Sequence, residues 1–102
     1  MREDQQSIAA WAKGALPSKL QTIDAITAKA NDEMAELVRD ILTGESRQKV
    51  GEEIADVVIP LFQLCQALGL DLLDQVDRKM AIVRARQYDA DGKRVDKQEI
   101  DS

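Results

Sequence analysis

Between Leu20 and Ile41 the apolar residues fall at Leu20, Ile23, Ile26, Ala30, Met34, Leu37, Val38 and Ile41. Steps of three and four positions are the periodicity of a helix with one buried face. No alternation of period two competes with it, and no repeat recurs at a fixed interval. Ser18 is a suitable cap for the start of this helix, and Gly44 ends it. An earlier stretch, Glu3 to about Gly14, carries Ile8, Ala9, Ala12 and Ala15 at helical spacing with Trp11 beside them, before Gly14 and Pro17 break it. A third helix, capped near Ser46 and under way by Val50, runs through Ile54, Val57, Val58, Leu61, Leu64, Cys65 and Leu68 to Gly69. Pro60 lies inside it, removes one backbone donor and predicts a kink. Asp71 can cap a fourth helix reaching about Tyr88, with Leu72, Leu73, Val76, Met80, Ile82 and Val83 on its buried side. The expected fold is all-α, a four-helix bundle.

A chain of 102 residues fits one domain, here residues 1–88, followed by a polar tail at 89–102 with little to bury. Aromatics are confined to Trp11, Phe62 and Tyr88, so the core must be aliphatic. A small domain with broad apolar faces often completes its burial against another subunit, so a homo-oligomer is expected. The formal net charge of −5 repels long polyanions, which argues against DNA or RNA binding, although a short polyphosphate bridged by metal stays accessible. No apolar run reaches the length needed to span a bilayer, and MREDQQ lacks the layout of a signal peptide. With Cys65 as the lone cysteine, a reduced, cytoplasmic setting is expected. Histidine is absent, which removes Ser-His-Asp and Cys-His catalysis and His-liganded zinc. Any metal must be held by oxygen.

Oxygen ligands are available in pairs. Glu33 with Glu36, and Glu53 with Asp56, are each three residues apart and therefore neighbours on one helix face. Gly44 between them permits a hairpin that would bring four carboxylates together, a donor set suited to magnesium. Without a cation such a cluster would repel itself and raise some of its pKa values. Acids on amphipathic helices ordinarily form a solvated face, and spacing alone is compatible with that reading. Two features point the other way: both pairs adjoin the apolar positions Met34, Leu37, Ile54 and Val57, and the fourth helix offers Lys79 and Arg86, seven residues apart and nearly aligned. Trp11 could stack on a nucleobase, although a lone tryptophan on an apolar helix more often packs in a core.

Three segments together, Asp32-Glu33-Met34-Ala35-Glu36-Leu37, Gly51-Glu52-Glu53-Ile54-Ala55-Asp56-Val57 and Lys79-Met80-Ala81-Ile82-Val83-Arg84-Ala85-Arg86, resemble the MazG-like all-α nucleoside triphosphate pyrophosphohydrolases, nearest their short single-domain members. The resemblance covers roughly Ile8 to Gly92. It implies a helical bundle assembled as a dimer or a dimer of dimers, magnesium as cofactor with manganese able to substitute, and cleavage of a nucleoside triphosphate between its α and β phosphates. It further implies Glu33, Glu36, Glu53 and Asp56 as metal ligands and Lys79 and Arg86 as phosphate contacts. Glu52 or Glu33 is the candidate general base. Two departures matter: Asp32 stands where many relatives carry Glu, and Val83 where the basic helix often carries Asn. They keep open a rival reading, a catalytically silent helical oligomer that senses nucleotides or engages a partner protein.

Overall fold

The computed structural model describes residues 2–96, in the order α1 (Gln5–Ala15), a 3₁₀ turn (Ser18–Leu20), α2 (Ile23–Leu42), α3 (Arg47–Ala67) and α4 (Leu72–Arg84). Residues 97–102, the end of the expected tail, lie outside the described residues. Among the described residues there are four α-helices and no strand, only an isolated antiparallel bridge between Tyr88 and Arg94. The all-α expectation holds. No single described helix is long and apolar enough to cross a membrane. The chain divides into two compact units, up to Leu72 and from Leu73 onward.

In the first unit the helix starts are set by side-chain caps. Asp4 accepts from the Ser7 amide at 2.8 Å while Ser7 Oγ accepts from the Asp4 amide, a reciprocal capping box for α1. Ser46 caps α3 through the Lys49 amide, as the sequence suggested. The cap of α2 differs from expectation: it is Thr22, which accepts from the Ala25 amide at 3.1 Å, and Ser18 instead opens the 3₁₀ turn that follows Pro17. Two hydroxyl residues were available, and the turn Pro17–Gln21 consumes the backbone around Ser18 through Leu20 N–H to Pro17 and Gln21 N–H to Ser18.

α2 and α3, each about 30 Å long at 1.5 Å per residue, make the most extensive helix pairing, and α1 packs on α3. They are joined by Thr43–Ser46. Gly44 adopts φ +73°, its amide reaches the Ile41 carbonyl, and the Glu45 amide reaches the Asp40 carbonyl at 2.9 Å. This pair of bonds closes the helix end and needs a left-handed residue at Gly44. The facing seam is Ile26, Ala30, Glu33, Leu37 and Asp40 on α2 and Val50, Glu53, Val57, Pro60 and Leu64 on α3, all buried or half-buried. α3 runs on through Pro60, which has no N–H to give the Asp56 carbonyl. Cys65 is free and half-buried.

Gln5 fastens the start of α1 to the far end of α3. Buried itself, it donates to Gln66 Oε1 at 3.0 Å and the Leu70 carbonyl at 2.8 Å, and accepts from the Leu72 amide at 2.8 Å.

The second unit corrects the expected end of the fourth helix. α4 stops at Arg84, not near Tyr88, and its last amides tighten into Ala85-to-Ile82 and Arg86-to-Val83 bonds. Residues 87–89 are claimed by another structure. Val95 N–H donates to Gln87, Asp89 N–H donates to Lys93, and Asp89 Oδ1 accepts from the Asp91 and Lys93 amides around Gly92 at φ +80°. Asp91-Gly92 is a hairpin-forming pair. Asp96 then accepts from the Gln87 amide and from Arg94 Nε and Nη2; the Arg94 bond holds its carboxyl down to about 2.

Gln5→Leu is expected to lower unfolding free energy by about 1–3 kcal/mol, the usual cost of stranding buried hydrogen-bonding groups. Urea denaturation reads this directly, and an unchanged midpoint would dismiss the Gln5 fastening.

Candidate metal centre and adjoining cavity

Seam positions Glu33 of α2 and Glu53 of α3, with Asp56 one turn further along α3, bring three carboxylates together. One oxygen from each lies within 4.8 Å of the others. The helices place them there by register: the residues that would otherwise fill these seam sites are apolar, as at Leu37 and Val57. Glu53 is buried, and its Oε2 is inaccessible with no hydrogen-bond donor. Only a proton or a cation satisfies an oxygen held among carboxylates. Accordingly the Glu53 carboxyl is raised to about 7, first because its proton bonds to Glu33, then by burial, then by the charges of Glu33 and Asp56.

Glu33 is pushed the other way. Lys29, one turn before it on α2, places Nζ 2.9 Å from Glu33 Oε1. That bond, followed by the one shared with Glu53, holds Glu33 below the ordinary carboxylate range, and Glu33 in turn raises Lys29. The ammonium offsets one negative charge of the trio and leaves the rest uncompensated. All-oxygen donors, net negative charge and an unsatisfied buried oxygen fit a hard divalent cation such as magnesium.

Glu36, on α2 beside the seam, is outside the trio and pairs with Arg39. Glu52 and Asp32 are exposed next to Glu53 and Glu33. Lys79 on α4 and Arg86, both half-buried, belong to the second unit. Arg86 lies beyond the end of α4, so the helical alignment expected for these two does not apply. Trp11 is 54% exposed and is not a core residue.

Trp11 lines a cavity of about 510 Å³ that reaches two of the three clustered carboxylates, Glu33 and Asp56. Lys29, Glu33 and Asp56 form its charged end, and Trp11, Leu16, Leu20, Ile26, Ile59 and Pro60 its apolar walls, with Gln63 among them. That size falls within the range of about 300–1,000 Å³ usual for small-molecule sites. Sequence reasoning missed Lys29 and Gln63. Lys29 had a visible signal, its four-residue spacing before Glu33, whereas Gln63 had none.

The fold and site therefore define an all-α domain with an oxygen-donor centre beside an apolar cavity. The chain belongs to the MazG-like family, whose family model matches residues 17–100. The match takes in the acidic helices, α4 and most of the expected tail, and leaves out α1. Neither a curated protein nor a solved structure gives a significant match.

A pH dependence follows from the opposed carboxyls. A group whose folded pKa is raised contributes stability below its ordinary value of 4.5 that is lost as pH climbs to about 7. In metal-free buffer, Glu53→Gln should therefore gain stability relative to the native chain between those limits. Thermal melts at pH 4.5 and 7.5 check this; an equal difference at both would rule out the strained carboxyl.

Proposed function

We propose that the chain is a magnesium-dependent nucleoside triphosphate pyrophosphohydrolase, releasing a nucleoside monophosphate and pyrophosphate. The observation that carries this reading is the trio Glu33, Glu53 and Asp56, with its unsatisfied Glu53 oxygen, opening onto a cavity walled by Trp11. Membership of the MazG-like family supports it.

In this reading Glu33, Glu53 and Asp56 hold the cation, joined by Glu36 when it exchanges its partner Arg39. When bound, magnesium supplies Lewis acidity and neutralises polyphosphate charge. Glu52, exposed next to Glu53, accepts the proton of the attacking water, with Glu33 as the other candidate. Lys29, at the mouth of the charged end, is free to turn from Glu33 to a phosphate oxygen and to stabilise charge growing there during cleavage. Trp11 offers its ring face to the base.

The working unit in this reading is a homodimer or a dimer of dimers. Met34, Val38 and Ile41 form an exposed apolar stripe on α2, and Ile54 and Leu61 extend exposed apolar surface along α3. Such contiguous surface is costly in water and suits a second copy of the chain. Light scattering that returned a monomer would remove this part of the proposal.

The activity test is direct. With magnesium and a panel of nucleoside triphosphates, the native chain should release pyrophosphate and monophosphate in equal amounts, with Asp56→Asn and Glu53→Gln each slowed by about 100-fold or more, the scale of losing a charge-stabilising group at a reaction centre. Metal-independent release, or variants as fast as the native chain, would refute the assignment.

A further inference from the structure

Gln63 stands apart from its neighbouring glutamines. Gln5 and Gln66 are bonded to one another, and Gln21 Nε2 donates to the Leu16 carbonyl at 2.7 Å. The Gln63 side chain, half-buried in the cavity wall with Ile26, Ile59 and Pro60, takes no part in those bonds, although it also borders a smaller cavity with Gln21 and Gln66. An amide carries donors and an acceptor side by side. In an apolar wall those groups favour a ligand that meets both and penalise one that meets neither, because displaced water is then not replaced.

Position gives the ligand its orientation. Gln63 is seven residues after Asp56, almost two full turns, so both side chains leave α3 on the same side, about 10.5 Å apart along the axis. The cavity thus has acids and Lys29 at one end and a lone amide in apolar surroundings toward the other, with Trp11 on its wall. A nucleotide has the matching layout: anionic phosphates at one end and, at the other, a flat base whose pairing edge presents a donor beside an acceptor. Resting on the pyrophosphohydrolase reading, we infer that Gln63 is the base-reading residue, pairing its amide with the Watson–Crick edge of a base stacked on Trp11. The substrate class is then nucleotides with an intact pairing edge, and bases methylated on that edge are rejected.

Trp11 is the only tryptophan, so its fluorescence reports occupancy of this cavity. The titrants are nucleoside 5′-monophosphates with magnesium, four bases, each beside its edge-methylated counterpart (N3-methyl pyrimidines, N1-methyl purines). The native chain should prefer the intact member of at least one pair by about tenfold, equivalent to about 1.4 kcal/mol. Gln63→Leu, close to the original in size, should bring that ratio to near one. Inhibition by inorganic tripolyphosphate, which has no base, should be the same in native and Gln63→Leu chains, which separates base reading from general damage to the site. A preference that survives in Gln63→Leu, or no preference in the native chain, overturns the inference. Magnesium-dependent pyrophosphate release measured on the same preparations tells the two levels apart: turnover without a Gln63 effect removes base reading alone, and no turnover removes the underlying activity.

Discussion

Glu33 and Glu53 face each other at seam positions of the α2–α3 hairpin that a simple helical bundle would give to leucine. Helix pairs gain stability by burying apolar surface, and two carboxylates with Asp56 beside them work against that gain. The strain is visible in the opposed titration of the pair, Glu53 held protonated up to about 7 while Lys29 keeps Glu33 ionised. The arrangement persists because the rest of the hairpin is well determined. Thr22 and Ser46 cap the two helices, the Gly44 turn fixes their register, and Ile26, Leu37, Val57 and Leu64 supply apolar contacts around the acids. A site that destabilises its own scaffold in this way is the expected mark of a group retained for function.

The cavity depends on the same hairpin. Its charged end is made by residues at seam positions or one step from them, and its apolar end by the next turns of α2 and α3 together with Trp11 of α1 and Leu16 and Leu20 of the connection. Gln5 holds α1 against the end of α3 and so keeps Trp11 over the cavity. Pro60 contributes twice: it fills the seam opposite Ile26 and lines the cavity wall. Much of the outer apolar surface of α2 and α3 stays exposed, which is why assembly of several chains belongs to the proposed working state.

Much of this was legible in the amino-acid order. The three-and-four spacing reveals α2 and α3, and the three-residue spacing of Glu53 and Asp56, with Glu33 on the preceding helix, reveals the trio, because helical geometry converts both into shared faces. Glu36 has the same spacing from Glu33 but sits off the seam, where Arg39 one turn later engages it; pair spacing alone does not separate the two positions. Ser18 and Thr22 are equivalent as caps by residue type, and the turn after Pro17 decides between them. Apolar and basic residues that continue to Tyr88 suggest a longer fourth helix than the one ending at Arg84, while the competing signal, Asp91-Gly92, lies in a polar stretch with little to bury. Lys29 is announced by its four-residue spacing before Glu33, which the ion pair between them bears out, whereas Gln63 becomes meaningful only in three dimensions, as an amide in the apolar cavity wall.

The claim underlying everything else is that the carboxylate trio is a cation site whose repulsion a divalent ion relieves. Thermal melting of the native chain and of a Glu33→Gln/Glu53→Gln double variant, each with and without magnesium at pH 7.5, tests it most directly. The native chain should be stabilised by magnesium, by about 1.4 kcal/mol when the ion is at ten times its dissociation constant, whereas the double variant should not respond and should exceed the native chain in metal-free stability. Equal responses to magnesium, or a double variant less stable than the metal-free native chain, would contradict the account.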